Sequence, residues 1–172
     1  MAGLRDLYRT GRTRSLAWRL ANLKACRTML NDNIDSWTAA VVADTLKPRA
    51  EALLADVWVA QQEINTMISS LQAWAAPEDV STPAVLLPAS SRVERQPLGV
   101  VLIIAPCNYP LQLALCPLFG AIAAGNVVVL KPSEHCPETA FALESFLKSY
   151  LDTEAVKVVC GGPDVVGGAR IE

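Results

Sequence analysis

Apolar side chains recur at helical spacing through the first 77 residues. Two shorter stripes lie on either side of the polar run 31–33, and a longer one covers residues 48–74 before Pro77 ends it. The two shorter stripes are Leu16, Leu20, Leu23 and Met29–Leu30, and then Ile34, Trp37 and Val41. The longer stripe is Leu53, Val57, Ala60, Ile64, Met67, Ile68, Leu71 and Trp74. We therefore predict an N-terminal helical segment, residues 1–77, whose apolar side chains form a core.

The pattern changes after Pro77. Residues 78–97 are rich in Pro, Ser and Thr, and they predict a connecting segment with one exposed strand. Residues 99–105, 126–130 and 155–160 are β-branched runs, separated by helical stretches at 110–124 and 137–150. This alternation predicts an α/β fold with a parallel sheet and right-handed crossovers. Three such strands are the first half of a doubly wound, Rossmann-like sheet, which we assign to residues 98–172.

Residues 96–130 contain no Asp, Glu, Lys, Arg or His. The run exceeds the about 20 residues that span a bilayer. However, Pro106, Pro110 and Pro117, together with the Gly125–Asn126 turn, divide it into pieces of different period. We therefore interpret it as a buried strand–helix–strand unit, and no transmembrane segment is predicted.

Composition excludes two other classes of protein. With 52% hydrophobic and 19% charged residues, the chain is able to bury a core and is not disordered. Its net charge of −2 gives no overall positive potential that would attract nucleic-acid phosphates, so no nucleic-acid partner is expected. The five Cys form no CxxC pair, which favours free thiols in a reducing compartment and no metal site.

Charge is concentrated at the N-terminus. Residues 1–27 carry seven basic residues against one acid. Two interpretations stay open: a mitochondrial transit peptide, or a basic first helix of the folded protein. We favour the helix and expect a cytoplasmic protein, with organelle membrane association of a full-length form left open.

Two segments follow the first two predicted parallel strands. Asn108 and Pro110 suit a helix entry, but an amide at a strand end also lies where α/β proteins bind ligands. Its two N–H donors are suited to an oxyanion. Lys131 and Glu134 follow the next strand. Two interpretations stay open: the cation and the carboxylate face one ligand, such as a ribose, or residues 131–134 are an ordinary solvated turn. The dinucleotide motif GxGxxG is absent.

The run PCNYPLQLALCPLFGAIAAGNVVVLKPSE resembles the coenzyme domain of aldehyde dehydrogenases. The resemblance covers residues 4–165, and further segments, such as TPAVLLPASSRVERQPLGVVLIIAP, are similar to the class 3 branch, which includes fatty aldehyde dehydrogenases. It implies a domain that binds NAD or NADP, a separate catalytic domain, and a bridging sheet used for dimerisation. Residues 78–97 resemble the start of that bridging sheet.

The resemblance also implies roles for individual residues. Asn108 matches the amide that binds the substrate oxygen, and Lys131 and Glu134 match the pair that contacts the adenosine ribose. The strand end along the coenzyme is matched by Ile104, Ala105, Pro106 and Cys107. Cys107 departs from the family pattern, which has an aromatic residue there, and this puts the shape of the substrate tunnel in doubt.

The family's pyrophosphate glycines, general-base Glu and nucleophilic Cys lie beyond the point that matches Val165. We therefore expect this chain to be the N-terminal part of an NAD(P)-dependent aldehyde dehydrogenase, a homodimer when full length, and inactive alone. The resemblance implies that the complete enzyme oxidises an aldehyde to a carboxylic acid by thiol attack, hydride transfer and thioester hydrolysis. The alternative is a non-catalytic coenzyme-binding or interaction module that pairs with a full-length subunit. Aldehyde chain length and the choice between NAD and NADP are not determined by these residues.

Overall fold

A computed structural model describes residues 2–162 of the chain. The last ten residues of the predicted coenzyme domain, 163–172, lie outside the described residues, and so does position 165, the predicted end of the family resemblance.

Seven α-helices and five strands make up the regular structure of residues 2–162. The helices are α1 (Ala2–Arg9), α2 (Leu16–Asp32), α3 (Ile34–Thr45), α4 (Arg49–Ala52), α5 (Val59–Ala75), α6 (Gln112–Ala123) and α7 (Pro137–Tyr150). The strands are β1 (Glu78–Val80), β2 (Ser91–Val93), β3 (Val100–Ile104), β4 (Val127–Lys131) and β5 (Val156–Val158). Short 3₁₀ turns occupy Arg12–Arg14 and Ala84–Leu86.

The long helix predicted for residues 48–74 is interrupted. A π-helical turn, Leu53–Trp58, separates α4 from α5. A π turn closes its hydrogen bonds five residues back instead of four, so it rotates the helix faces on either side relative to each other. As a result Leu53, expected in the core, is 36% exposed, while the carboxylate of Asp56 is fully buried. Trp74, at the far end of the same predicted stripe, is also about half exposed.

Residues 78–97 form a small hairpin-like unit instead of one exposed strand. Strands β1 and β2 pair antiparallel, with Glu78 opposite Val93. Both strands are largely exposed. Pairing supplies the backbone hydrogen-bond partners that a lone exposed strand takes from water.

Strands β3, β4 and β5 form a parallel sheet in that order, which confirms the predicted topology. Strand β4 is buried along its whole length, as expected of a parallel strand covered on both faces. Val128 and Leu130 face the main helical core, and Val127 and Val129 face a second cluster that includes Leu4 of α1. The basic first segment therefore folds onto the sheet.

Helices α2, α3, α5, α6 and α7 pack together on the other face of the sheet. The largest buried side chain there, Trp37, meets the ring of Phe146 edge to face, with centroids 4.8 Å apart. No helix within residues 2–162 is both long enough and apolar enough to cross a membrane.

Candidate active site

The carboxyl ends of β3 and β4 meet at one edge of the sheet. Ile104 pairs with Lys131, and the Ala105 N–H donates to the Lys131 carbonyl at 3.0 Å. Ile104 is 60% exposed and Ala105 is buried. The segment 105–108 and the segment 131–134 therefore leave the sheet side by side, as the sequence predicted, at the edge where α/β proteins bind ligands.

Asn108 lies in an exposed loop together with Pro106 and Cys107. Helix α6 begins only at Gln112, with Leu111 as its N-cap residue, so the interpretation of Asn108 as the capping residue is wrong, and Pro110 lies two residues before the helix. The start of α6 is capped by a side chain from another part of the chain: Asp56 Oδ1 accepts from the N–H groups of Leu111 and Gln112, at 3.2 Å each. The Asn108 side chain is therefore not committed to capping α6.

A second long-range contact reaches the same loop. Lys47 Nζ donates to the backbone carbonyl oxygen of Asn108 at 2.6 Å and lies 3.8 Å from the centroid of the Tyr109 ring. The same ammonium is 3.7 Å from Asp56 Oδ2. The loop that carries Asn108 is thus held by two charged residues from the helical segment.

Lys131 and Glu134 form an ion pair at the end of β4. The Lys131 side chain is only 7% exposed, whereas that of Glu134 is 34% exposed. The hydrogen bond from Lys131 lowers the pKa of the Glu134 carboxyl, with help from backbone hydrogen bonding. Glu134 is therefore an ionised acceptor at neutral pH, and the buried ammonium beside it is a donor.

A groove of about 290 Å³ adjoins this pair. Its walls come from the segment after β4, from α7 and from the end of β5. They are Pro132, Ser133, Glu134, Pro137, Ala140, Phe141, Glu144, Cys160 and Gly161. The Phe141 ring is 71% exposed, so the groove offers an aromatic side chain to a flat ligand.

The start of α7, like that of α6, is capped from the helical segment. Asp44 Oδ1 and Oδ2 accept from the N–H groups of Glu138 and Thr139, at 3.1 and 2.7 Å. Within the turn before α7, the backbone N–H of His135 donates to Ser133 Oγ at 3.2 Å, and His135 itself is exposed. These contacts fix the backbone on which Glu134 sits.

The five cysteines lie in different environments. Cys26 is buried and Cys116 half-buried, whereas Cys160 is exposed and lines the groove. The Cys136 thiol lies close to Cys107 and donates to its carbonyl oxygen at 3.6 Å. Burial raises the pKa of Cys26 to about 12 and, as the largest cause, those of Cys116 and Cys136 to about 11. These three thiols are protonated at neutral pH and are poor nucleophiles.

Lys47, Asp44 and Asp56 are the functional-site neighbours that sequence reasoning missed. Of these three residues, only Asp56 has a signal in the sequence, because it is an acid inside the otherwise apolar run LLADVWVA. Within residues 2–162 no group of three or more His, Cys, Asp or Glu side chains is arranged to hold a metal ion.

Comparison with known proteins agrees with this fold. A sequence model described as the aldehyde dehydrogenase family matches residues 5–171. Aldehyde dehydrogenase family 3 member F1 of Arabidopsis thaliana is 41% identical over 162 residues, which are 94% of this chain and 34% of that protein. The chain therefore belongs to the aldehyde dehydrogenase family, and it spans about a third of the length of the curated relatives it matches.

Solved structures show the same likeness. The substrate-bound AldH of Staphylococcus aureus superposes with a TM-score of 0.94 at 30% identity, over 97% of this chain and 36% of that one. The indole-3-acetaldehyde dehydrogenase AldA of P. syringae, a mutant in complex with NAD⁺ and IAA, gives a TM-score of 0.82 at 27% identity, over 96% and 33% of the two chains. The Rossmann-like character of the partial sheet follows from these matches.

Proposed function

We propose that this chain supplies the substrate-oxygen amide and the coenzyme ribose contacts for the NAD(P)-dependent oxidation of an aldehyde to a carboxylic acid. The observation that carries the proposal is the common sheet edge. Asn108 and the pair Lys131–Glu134 follow adjacent parallel strands whose last residues, Ile104 and Lys131, are in register.

Asn108 is assigned the aldehyde oxygen. Its carboxamide has two N–H donors, and hydrogen bonds from such donors strengthen as negative charge develops on a carbonyl oxygen under attack. Its backbone carbonyl is already occupied by Lys47 Nζ, which leaves the exposed side chain for a ligand.

The groove beside Glu134 is proposed to take the adenosine part of the coenzyme. The carboxylate of Glu134 accepts hydrogen bonds from the ribose hydroxyls. Lys131 Nζ, which is buried behind that carboxylate, donates to the ribose hydroxyl oxygens. Phe141 offers an apolar face to a base at the mouth of the groove. When bound, NAD(P)⁺ supplies the acceptor for the aldehyde hydride. The strand end 104–107 is proposed to lie along the coenzyme.

The nucleophile is assigned to a thiol outside this chain. Three of its five thiols have pKa values raised to about 11 or 12. A fourth, Cys160, has its pKa raised by partial burial and by Glu144. Cys107 shares the loop of Asn108 instead of facing it across a substrate. We also propose a cytoplasmic homodimer for the complete enzyme.

The experiment compares coenzyme binding by the wild-type chain and by Glu134→Gln, through saturation-transfer NMR with NAD⁺ and with NADP⁺. We expect weak binding by the wild type and a loss of about five- to tenfold in Glu134→Gln, because a charged acceptor is lost while size is kept. Glu154→Gln is the matched control. Glu154 precedes β5, so it lies at the amino ends of the parallel strands, away from the groove, and it pairs there with Arg12.

Equal binding by wild type and Glu134→Gln would contradict the ribose assignment. So would an equal loss in Glu154→Gln, because that result traces the change to net charge and not to the groove.

A further inference from the structure

We propose that Lys47 and Asp56 are positioning residues, which together hold the loop 106–111 so that Asn108 is presented to substrate. The effect of this pair on catalysis rests on the substrate-binding role proposed for Asn108. The physical claim, that the pair immobilises the loop, stands on contacts within the chain.

Asp56 binds the far end of the loop. It is fully buried, in the π turn between α4 and α5. One carboxylate oxygen accepts both N–H groups at the start of α6, so this end of the loop is tied to the helical layer. Burial raises the pKa of this carboxyl, while the hydrogen bonds from Gln112 and Leu111 and the charge of Lys47 act in the opposite direction.

Lys47 binds the middle of the loop. Its side chain is 16% exposed. Leu46, at φ 56°, ends α3 in the left-handed conformation and turns the chain so that Lys47 points toward the loop. The ammonium then contacts the carbonyl of Asn108, the ring of Tyr109 and the carboxylate of Asp56.

A capping role alone does not account for the pair. Helix capping uses only Oδ1 of Asp56. The other carboxylate oxygen, Oδ2, lies 3.7 Å from the ammonium nitrogen of Lys47. A buried charge is retained against its desolvation cost only where partners compensate it. Here the compensating cation is Lys47, which also holds the backbone of Asn108. The Lys47–Asp56 ion pair therefore couples the start of α6 to the position of the Asn108 amide. Such placement matters, because a misplacement of about 1 Å at a reacting centre can reduce a rate about 100-fold. π turns are also frequent at functional sites.

The test is hydrogen–deuterium exchange by mass spectrometry on the full 172-residue chain, at the low concentration that this method allows. In Lys47→Met we expect the backbone amides of residues 107–112 to exchange about tenfold faster, because the loop loses a charge-assisted hydrogen bond. Exchange in α2 and in β4 stays at the wild-type rate. Lys47→Arg keeps a cation that reaches both partners, and it restores the wild-type rate within about twofold.

Arg49→Met is the matched control. Arg49 lies two residues from Lys47 and pairs with the exposed Asp35, so its removal takes away the same charge without touching the loop. We expect no change at residues 107–112. Asp56→Asn, which keeps an acceptor for α6 but loses the charge opposite Lys47, serves as the second variant and is expected to speed exchange in the same segment.

Three outcomes would overturn the proposal: exchange at residues 107–112 unchanged in Lys47→Met, exchange raised equally throughout the chain, or no restoration by Lys47→Arg. Coenzyme binding reports on the separate Glu134 groove. A failure of the proposed function, seen as Glu134→Gln binding like wild type, is thus distinguishable from a failure of loop positioning.

Discussion

At the scale of single residues, Cys107 is the least constrained of the five thiols. It lies at the strand end where the family pattern has an aromatic residue, and its side chain is exposed. A thiol is smaller than an aromatic ring, so Cys107 takes up less space beside Asn108 than the aromatic residue of the family pattern. We therefore expect the substrate entrance of the proposed site to differ in shape from the family pattern.

We predict that iodoacetamide at neutral pH modifies Cys107 first. Cys26 and Cys136 react only after unfolding, because both are buried and their pKa values of about 12 and 11 leave almost no thiolate. Peptide mass spectrometry after timed quenching measures the order. In denaturant all five react, which is the control, and equal native rates for Cys107 and Cys136 would contradict the described environments.

At the scale of elements, the turn between α6 and β4 decides how the Lys131 strand enters the sheet. Gly125 has φ +85°, and a Cβ built there lies 2.8 Å from Arg19 Nε. Its carbonyl accepts from Thr13 Oγ1 at 2.7 Å. The turn is therefore restricted twice, by its left-handed backbone and by the side chain packed over it.

Gly125→Ala should lower the free energy of unfolding by about 1–3 kcal/mol, because a strained backbone is combined with a steric contact. Gly11→Ala is the matched control: its φ is +76°, but open space surrounds the position. Chemical denaturation of both variants measures the difference. Equal losses would show that the contact with Arg19 contributes nothing.

At the scale of the whole molecule, large apolar surfaces are exposed. Leu98 is 93%, Val85 88% and Phe141 71% exposed. Strands β3 and β5 each pair on one side only in the sheet formed within residues 2–162. Unpaired strand edges and apolar patches of this kind promote association.

We therefore predict that the purified 172-residue chain is poorly soluble or self-associates. Sedimentation velocity over a concentration series measures this. A monodisperse monomer with a sharp cooperative melt would contradict the prediction.

The 172-residue chain alone should show no measurable NAD(P)-dependent aldehyde oxidation. The members of a catalytic site act as a unit, and loss of the nucleophile typically removes several powers of ten in rate. NADH formation from an aldehyde is followed spectrophotometrically. Steady turnover abolished by Cys107→Ser would make Cys107 the nucleophile, whereas coenzyme binding without turnover is the expected result.

Local patterns determined the elements and their order. Runs of β-branched residues, separated by helical stretches, predicted the parallel strands β3, β4 and β5. This prediction is confirmed, because the preference of β-branched side chains for strands is a local property. The same order brought Asn108 and Lys131 to one edge, since parallel strands end on the same side. The chemical roles of Asn108, Lys131 and Glu134 stay predictions.

Only the tertiary structure decided what supports the site. Lys47 meets Asn108 across 61 residues of sequence, and Asp56 meets Leu111 across 55. Such contacts have no local period, because they depend on how the helical layer docks onto the sheet. The π turn that buries Asp56 and the exposure of Cys160 beside the groove were likewise visible only in the tertiary structure.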